Sequence, residues 1–277
     1  MKTVSLPSGE QVPALGQGTW MMGERAGTRG DEIASLRLGL DLGLTLIDTA
    51  EMYGDGRAES LIGEALAGRR DEAFLVSKVY PHNASAQGMI AACERSLKRL
   101  QTDRIDLYLL HWPGQVPLSE TLAAFRALQA AGKIRHYGVS NFDLSDLQAW
   151  WTLDTTRGVA TNQVLYNLTR RGIEWDLQPW MRERRIPVMA YSPIEQARLI
   201  SDRRLMALSH DIGHTPAQIA LAWLLARDDT IALPKTGHPQ RVRENAAASS
   251  IVLDGEQLAR LDAMFAPPRQ STPLEML

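Results

Sequence analysis

Four side chains in the first half of the sequence have the types and spacing to move a proton. Asp48 closes the apolar run Leu44–Ile47, Lys78 closes Phe74–Ser77, His111 closes Ile105–Leu110, and Tyr53 lies a few residues past the first run. A tyrosine is a poor acid near neutral pH, its ordinary pKa being about 10. An ammonium beside it favours the phenolate and lowers that value, and a carboxylate on the far side of the ammonium keeps it charged and fixed. A neutral His111 could direct a carbonyl oxygen toward the Tyr53 hydroxyl. The set therefore suits protonation of an oxyanion as it forms. It offers neither a nucleophile with an adjacent base nor metal-ligand spacing. Singly, each residue has an ordinary use: Asp48 as a helix cap, Lys78 as a solvated charge, Tyr53 as loop packing, His111 as a satisfied structural histidine. Their coincidence on one rim is what argues for chemistry.

That rim requires elements to build it. A carboxylate ending a buried run costs several kcal/mol unless paired, and Lys78, ending the next run, is the natural partner. Asp48, Lys78, His111, Asn141, Gln163, Tyr191 and Lys235 end successive apolar runs, mostly about thirty residues apart, the length of one βα unit. Between the runs lie helical patterns: Glu59–Leu66, Ser85–Leu100, Ser119–Ala131, a helix capped by Asp143, Ile173–Arg185, Asp202–Asp211, Thr215–Arg227, Gln240–Ser249 and Asp254–Phe265. Before them, Asp31 is expected to cap a helix ending at Gly43. The chain opens with a hairpin around Pro7-Ser8-Gly9-Glu10, and Leu15–Trp20 reads as the approach to a Gly-rich loop. Such alternation predicts an α/β fold, a (β/α)8 barrel with an N-terminal β-hairpin and extra C-terminal helices, one domain over residues 1–277. An open doubly wound sheet would need a Gly-x-Gly-x-x-Gly loop, and Gly16-Gln17-Gly18 does not continue to a third glycine.

Composition restricts the partners. With 277 residues, 44% hydrophobic, the chain can bury a large core, and a formal charge of −2 argues against nucleic acid or an anionic membrane surface. The single cysteine, Cys93, sits in a helical pattern and is expected to pack rather than react. No stretch has signal-peptide or transmembrane character, so the expected location is cytoplasmic. No heptad or spare strand asks for a second subunit, so a monomer is expected.

Asp48-Thr49-Ala50-Glu51-Met52-Tyr53, Val76-Ser77-Lys78 and Leu109-Leu110-His111-Trp112-Pro113 resemble the segments that carry the catalytic Asp, Tyr, Lys and His of the aldo-keto reductases. Gly138–Phe142, Asn162-Gln163, Ala190–Pro193, Leu233–Thr236 and Arg241–Asn245 resemble that family's cofactor segments, in the same order. The resemblance implies NADPH-dependent reduction of aldehydes and ketones, with Tyr53 as the acid. It implies that Ser140, Asn141 and Gln163 hydrogen-bond the carboxamide and that Tyr191 stacks on the nicotinamide, followed by Ser192. Lys235, Thr236 and Arg241 would hold the 2'-phosphate, Glu244 and Asn245 the adenine. Two cations facing a dianion favour NADP over NAD.

The chain departs from the pattern after Ile194, where glycine is common and Glu195-Gln196-Ala197-Arg198 stands instead. Glu195 would repel a pyrophosphate unless it points away, and Arg198 could compensate. The Pro113–Pro117 connection and the tail after Phe265 are short, which predicts an open pocket. Trp20 and Trp112, with His82, Met21 and Tyr80, are expected to line it, and the whole chain is similar to bacterial members that reduce small 2-oxoaldehydes such as methylglyoxal. Two other functions fit parts of the sequence: a lyase using Lys78 as a Schiff-base nucleophile, which Asp48 would oppose by keeping the amine protonated, and an NADPH-sensing subunit on the same fold.

Overall fold

The computed structural model describes residues 1–277. An antiparallel hairpin, β1 (Thr3–Ser5) and β2 (Gln11–Pro13), precedes eight parallel strands. These are β3 (Gln17–Gly18), β4 (Leu46–Asp48), β5 (Phe74–Val79), β6 (Ile105–Leu110), β7 (Ile134–Ser140), β8 (Val159–Leu165), β9 (Val188–Tyr191) and β10 (Thr230–Leu233). They pair in sequence order, and the parallel bridges Leu15–Ala232 and Gly18–Lys235 join the first to the last. The sheet is thereby closed and has no free edge.

Helices cover the outside: α1 (Arg29–Asp41), α2 (Arg57–Ala65), α3 (Ala86–Leu100), α4 (Leu118–Ala130), α5 (Leu144–Leu153) and α6 (Leu177–Glu183) each follow one strand. After β9 come α7 (Arg203–Ile212) and α8 (Pro216–Leu225), and after β10 come α9 (Pro239–Ala247) and α10 (Gly255–Met264). Because helices cover one face of the sheet and barrel side chains fill the other, every residue of β5 and β6 is buried. Ser85, Asp143, Asp202, Thr215 and Asp254 cap their helices through side-chain bonds to first-turn amides.

Three expectations are corrected. Leu15–Trp20 contains a barrel strand, β3, rather than only a loop approach. Its glycines have a packing reason: a Cβ on Gly16 would stand 2.9 Å from the Leu46 carbonyl oxygen and 3.0 Å from Leu233 Cδ2. Asp31 is not the cap of α1; Thr28 holds that position without a side-chain bond, and Asp31 lies in the first turn, where its charge still favours the helix dipole. Ile173–Arg185 is not one helix. Pro179 has no N–H to carry the ladder back to Trp175, so a 3₁₀ turn at Gly172–Glu174 ends first and α6 restarts behind Asp176.

Candidate active site

The strands deliver their polar ends to one mouth. Asp48 is the last residue of β4, and Lys78 lies within β5, its side chain fully buried. The ammonium donates to both Asp48 oxygens at 2.8 and 2.9 Å, to the Thr49 carbonyl at 2.8 Å and to the Tyr53 hydroxyl at 3.1 Å. Tyr53 reaches it from the turn after β4, which Gly54 and Gly56 make tight by taking left-handed conformations. His111, one residue past β6, sets its ring against Tyr53 with centroids 5.9 Å apart. Asp48, Tyr53 and His111 stand on the wall of the cleft; Lys78 lies behind it and touches the wall through Tyr53 and Asp48.

Burial orders the protonation states. It raises Tyr53 above its ordinary value; Lys78 pulls the other way and Asp48 adds to the rise. Lys78 does lower the phenol, as the sequence argument holds, but desolvation outweighs that charge, and Tyr53 is a protonated donor at neutral pH. For Lys78, burial alone would lower the ammonium, but Asp48 and the Tyr53 oxygen outweigh it and the net shift is upward. A lysine held charged has no lone pair for imine formation, which argues against the lyase reading. His111 is pushed down to about 2, by burial first and then by the Lys78 charge. Its imidazole is neutral, and its buried Nδ1 has no partner within the chain.

A second wall is built from amides. Ser140 Oγ donates to the Gln163 carbonyl at 2.8 Å, and Asn141 Nδ2 donates to the His111 carbonyl at 3.1 Å. Asn141 sits at φ +56°, a conformation asparagine tolerates, and its Oδ1 accepts the Tyr191 hydroxyl at 3.1 Å. Gln163 Nε2 donates to Asp48 Oδ1 at 2.7 Å. Tyr191 is half-buried, and burial pushes its phenol up to about 12. Ser192 follows it on the wall, and Lys235 and Arg241 stand farther along. The Lys235 ammonium is lowered, first by desolvation, against the raising effect of Glu32 and Glu24.

The cleft has a volume of about 400 Å³, and Trp20, Met21 and Trp112 form part of it. His82 and Tyr80 do not line it: they stack on each other at 4.7 Å, with Tyr80 edge-on to Trp112 at 5.8 Å. Thr236, Glu244, Asn245 and Arg198 also lie off the cleft wall. Arg198 has a 65% exposed side chain turned toward Glu195. Glu195 itself points away from the cleft, into Asn167 and Arg170. Wall residues not put forward as site residues from the sequence include Gly18, Thr19, Met52, Met276 and Leu277. The last two belong to the short tail that was expected to leave the pocket open, and that tail supplies part of the cleft wall. Cys93 is buried, and burial pushes its thiol up to about 12, a packing role.

Residues 14–266 match the aldo/keto reductase family. The chain belongs to that family. It is 50% identical to methylglyoxal reductase YeaE of Escherichia coli K12, over all of this chain and 99% of the relative. Glyoxal reductase of Bacillus subtilis is 31% identical over 95% of this chain and 92% of its own length. Among solved structures, an aldo/keto reductase from Klebsiella pneumoniae in complex with NADP and acetate superposes with a TM-score of 0.97 at 50% identity, covering 100% of this chain and 99% of that one. An aldo/keto reductase is an oxidoreductase of carbonyl compounds, and this barrel, with its polar mouth, is the fold of that family.

Proposed function

We propose that this aldo/keto reductase uses NADPH to reduce small reactive aldehydes, 2-oxoaldehydes such as methylglyoxal and aromatic aldehydes among them, to alcohols. The observation that carries the reading is the buried chain of contacts Asp48–Lys78–Tyr53 ending at the cleft wall beside a neutral His111. Tyr53 Oη holds the proton that the substrate oxygen needs, and Lys78 stabilises the phenolate left behind. A neutral imidazole carries one N–H, so His111 can orient the carbonyl oxygen toward Tyr53 without adding charge. Asp48 keeps Lys78 protonated and fixed.

The residues present fit the cofactor. Ser140, Asn141 and Gln163 offer hydroxyl and amide groups suited to a neutral carboxamide, and Tyr191 offers an aromatic face. Lys235 and Arg241 have no ion-pair partner within the chain, as cations awaiting a 2'-phosphate should. When bound, NADPH would supply the hydride. Trp20, Met52 and Trp112 stand with Tyr53 on the cleft wall, an apolar and aromatic lining suited to small neutral carbonyls. Similarity to relatives named for methylglyoxal and glyoxal supports the same class. The proposal includes a monomer acting in the cytoplasm, since one chain supplies the whole cleft; sedimentation at assay concentration tests the monomer. No helix is long and apolar enough to cross a membrane.

The deciding experiment follows NADPH consumption with a panel of aldehydes, methylglyoxal included, for the wild type and Tyr53→Phe, with NADH alongside. Turnover that falls by about a hundredfold or more in the variant is expected. NADPH binding without turnover would favour the sensing role instead.

A further inference from the structure

The loop after β9 takes an unfavourable path. Ser192, Glu195, Gln196 and Ala197 all have positive φ, between 49° and 72°, although none is glycine. Such a path persists only where surrounding contacts over-determine it. Here the contacts come through Glu195, whose side chain is buried among polar partners. Its Oε2 accepts from Asn167 Nδ2 at 2.8 Å, and its Oε1 accepts from Arg170 Nη2 at 2.8 Å and Nε at 3.0 Å. Asn167 Nδ2 also donates to the Ser192 carbonyl at 2.9 Å. Gln196 and Ala197, directly after Glu195, form part of the cleft wall.

Arg170 has a second carboxylate. Its Nη1 pairs with Glu275 of the C-terminal tail, and the two residues after Glu275, Met276 and Leu277, form another part of the cleft wall. The tail's other side-chain anchors lead elsewhere: Ser271 donates to Asp176 at 2.7 Å and the Leu274 N–H to Asp143 at 3.3 Å, both helix caps. One guanidinium thus grips the loop after β9 with one edge and the C-terminal tail with the other. A planar fork can hold two carboxylates in fixed directions, which a point-charge ammonium cannot.

We propose that Arg170 is a positioning residue that couples the two walls of the cleft, so that seating the dinucleotide beneath the Ser192–Ala197 loop and closing Met276 and Leu277 over the carbonyl pocket are one event. The proposal rests on the cofactor reading above. Its chemical content is that Glu195 and Glu275, which do not touch, communicate through the arginine they share. Cofactor affinity then depends on a tail residue that is not on the cleft wall, and carbonyl affinity depends on a loop residue buried away from the substrate. By reciprocity NADPH and the carbonyl each raise the other's affinity by the same factor.

A double-mutant cycle on the full chain tests this. NADPH dissociation constants are read from quenching of tryptophan fluorescence, and KM and kcat for an aromatic aldehyde from steady-state rates, for Glu195→Gln, Glu275→Gln and the pair. The Glu275 side chain is 44% exposed, so its variant leaves the barrel intact. Glu275→Gln is expected to weaken NADPH binding by about threefold and to move the aldehyde KM while leaving kcat in place. The pair is expected to bind NADPH no more weakly than Glu195→Gln alone, because the shared link is already cut. Two results overturn the coupling: an unchanged NADPH constant in Glu275→Gln, or single effects that multiply in the pair. Failure of the wild type to bind NADPH would instead overturn the cofactor reading itself, and the proposal with it.

Discussion

Gln163 on β8 donates its amide to Asp48 on β4 at 2.7 Å, joining residues 115 positions apart. The contact ties the amide wall of the cleft to the buried ion pair beneath Tyr53. Asp48 Oδ1 accepts Gln163 and Lys78 together, so the carboxylate is held from two sides of the barrel. Replacing Gln163 by Leu removes one donor from a buried acceptor and is expected to cost about 1–3 kcal/mol of stability. The same change deletes a proposed carboxamide contact, so the NADPH dissociation constant should rise together with the loss in urea midpoint. A stability loss with unaltered NADPH affinity would confine Gln163 to support of Asp48.

Lys78 and Asp48 form a buried pair, and separating them should be worse than deleting both. Lys78→Met leaves a buried carboxylate without its cation, which is expected to destabilise the fold by about 3–5 kcal/mol. Adding Asp48→Asn should recover much of that loss without recovering turnover, because Tyr53 still lacks its ammonium. Urea denaturation with unchanged slope and a shifted midpoint measures both. Equal stability of the single and double variants would mean that Asp48 is satisfied without Lys78.

His111 makes stability depend on pH in a stated direction. Its folded value is pushed down to about 2, while an unfolded histidine titrates at about 6.5. Between those values the unfolded chain binds one proton more than the folded one, so stability falls as pH falls through the window and is fully present above it. The slope is about 1.4 kcal/mol per pH unit. His111→Gln should show a curve flatter by that amount between about pH 6 and 4 in urea melts. Identical slopes would show that the folded imidazole takes up its proton. Above the window, His111 remains neutral and contributes no pH dependence to turnover.

What the sequence made legible was the rim: polar residues at the ends of apolar runs pointed to the strand mouths, and Asp48, His111, Asn141, Gln163, Tyr191 and Lys235 all stand on the cleft wall, with Lys78 just behind it. The first strand escaped this signal, because Gly16 and Gly18 remove the side chains on which periodicity depends, and only closure against Leu46 and Leu233 explains them. The Tyr53 shift was misjudged because a sequence shows the neighbouring charge but not the depth of burial that outweighs it. Arg170 and Glu275 carried no local signal, since their pairing spans 105 positions and depends on where the tail comes to rest.

Lys235 and Arg241 provide the test of cofactor choice. Neither has a carboxylate partner, and a phosphate dianion between them would gain charge-assisted bonds that a free 2'-hydroxyl cannot match. Lys235→Met and Arg241→Ala are each expected to raise the KM for NADPH by about tenfold and to leave that for NADH within about twofold. Because both cations are exposed on the cleft wall, added salt should weaken NADPH binding in the wild type more than in either variant. Steady-state rates with both nucleotides at two ionic strengths measure this. Equal losses for NADPH and NADH would place the cations on the pyrophosphate that the two share, and the preference would then have to come from elsewhere in the cleft.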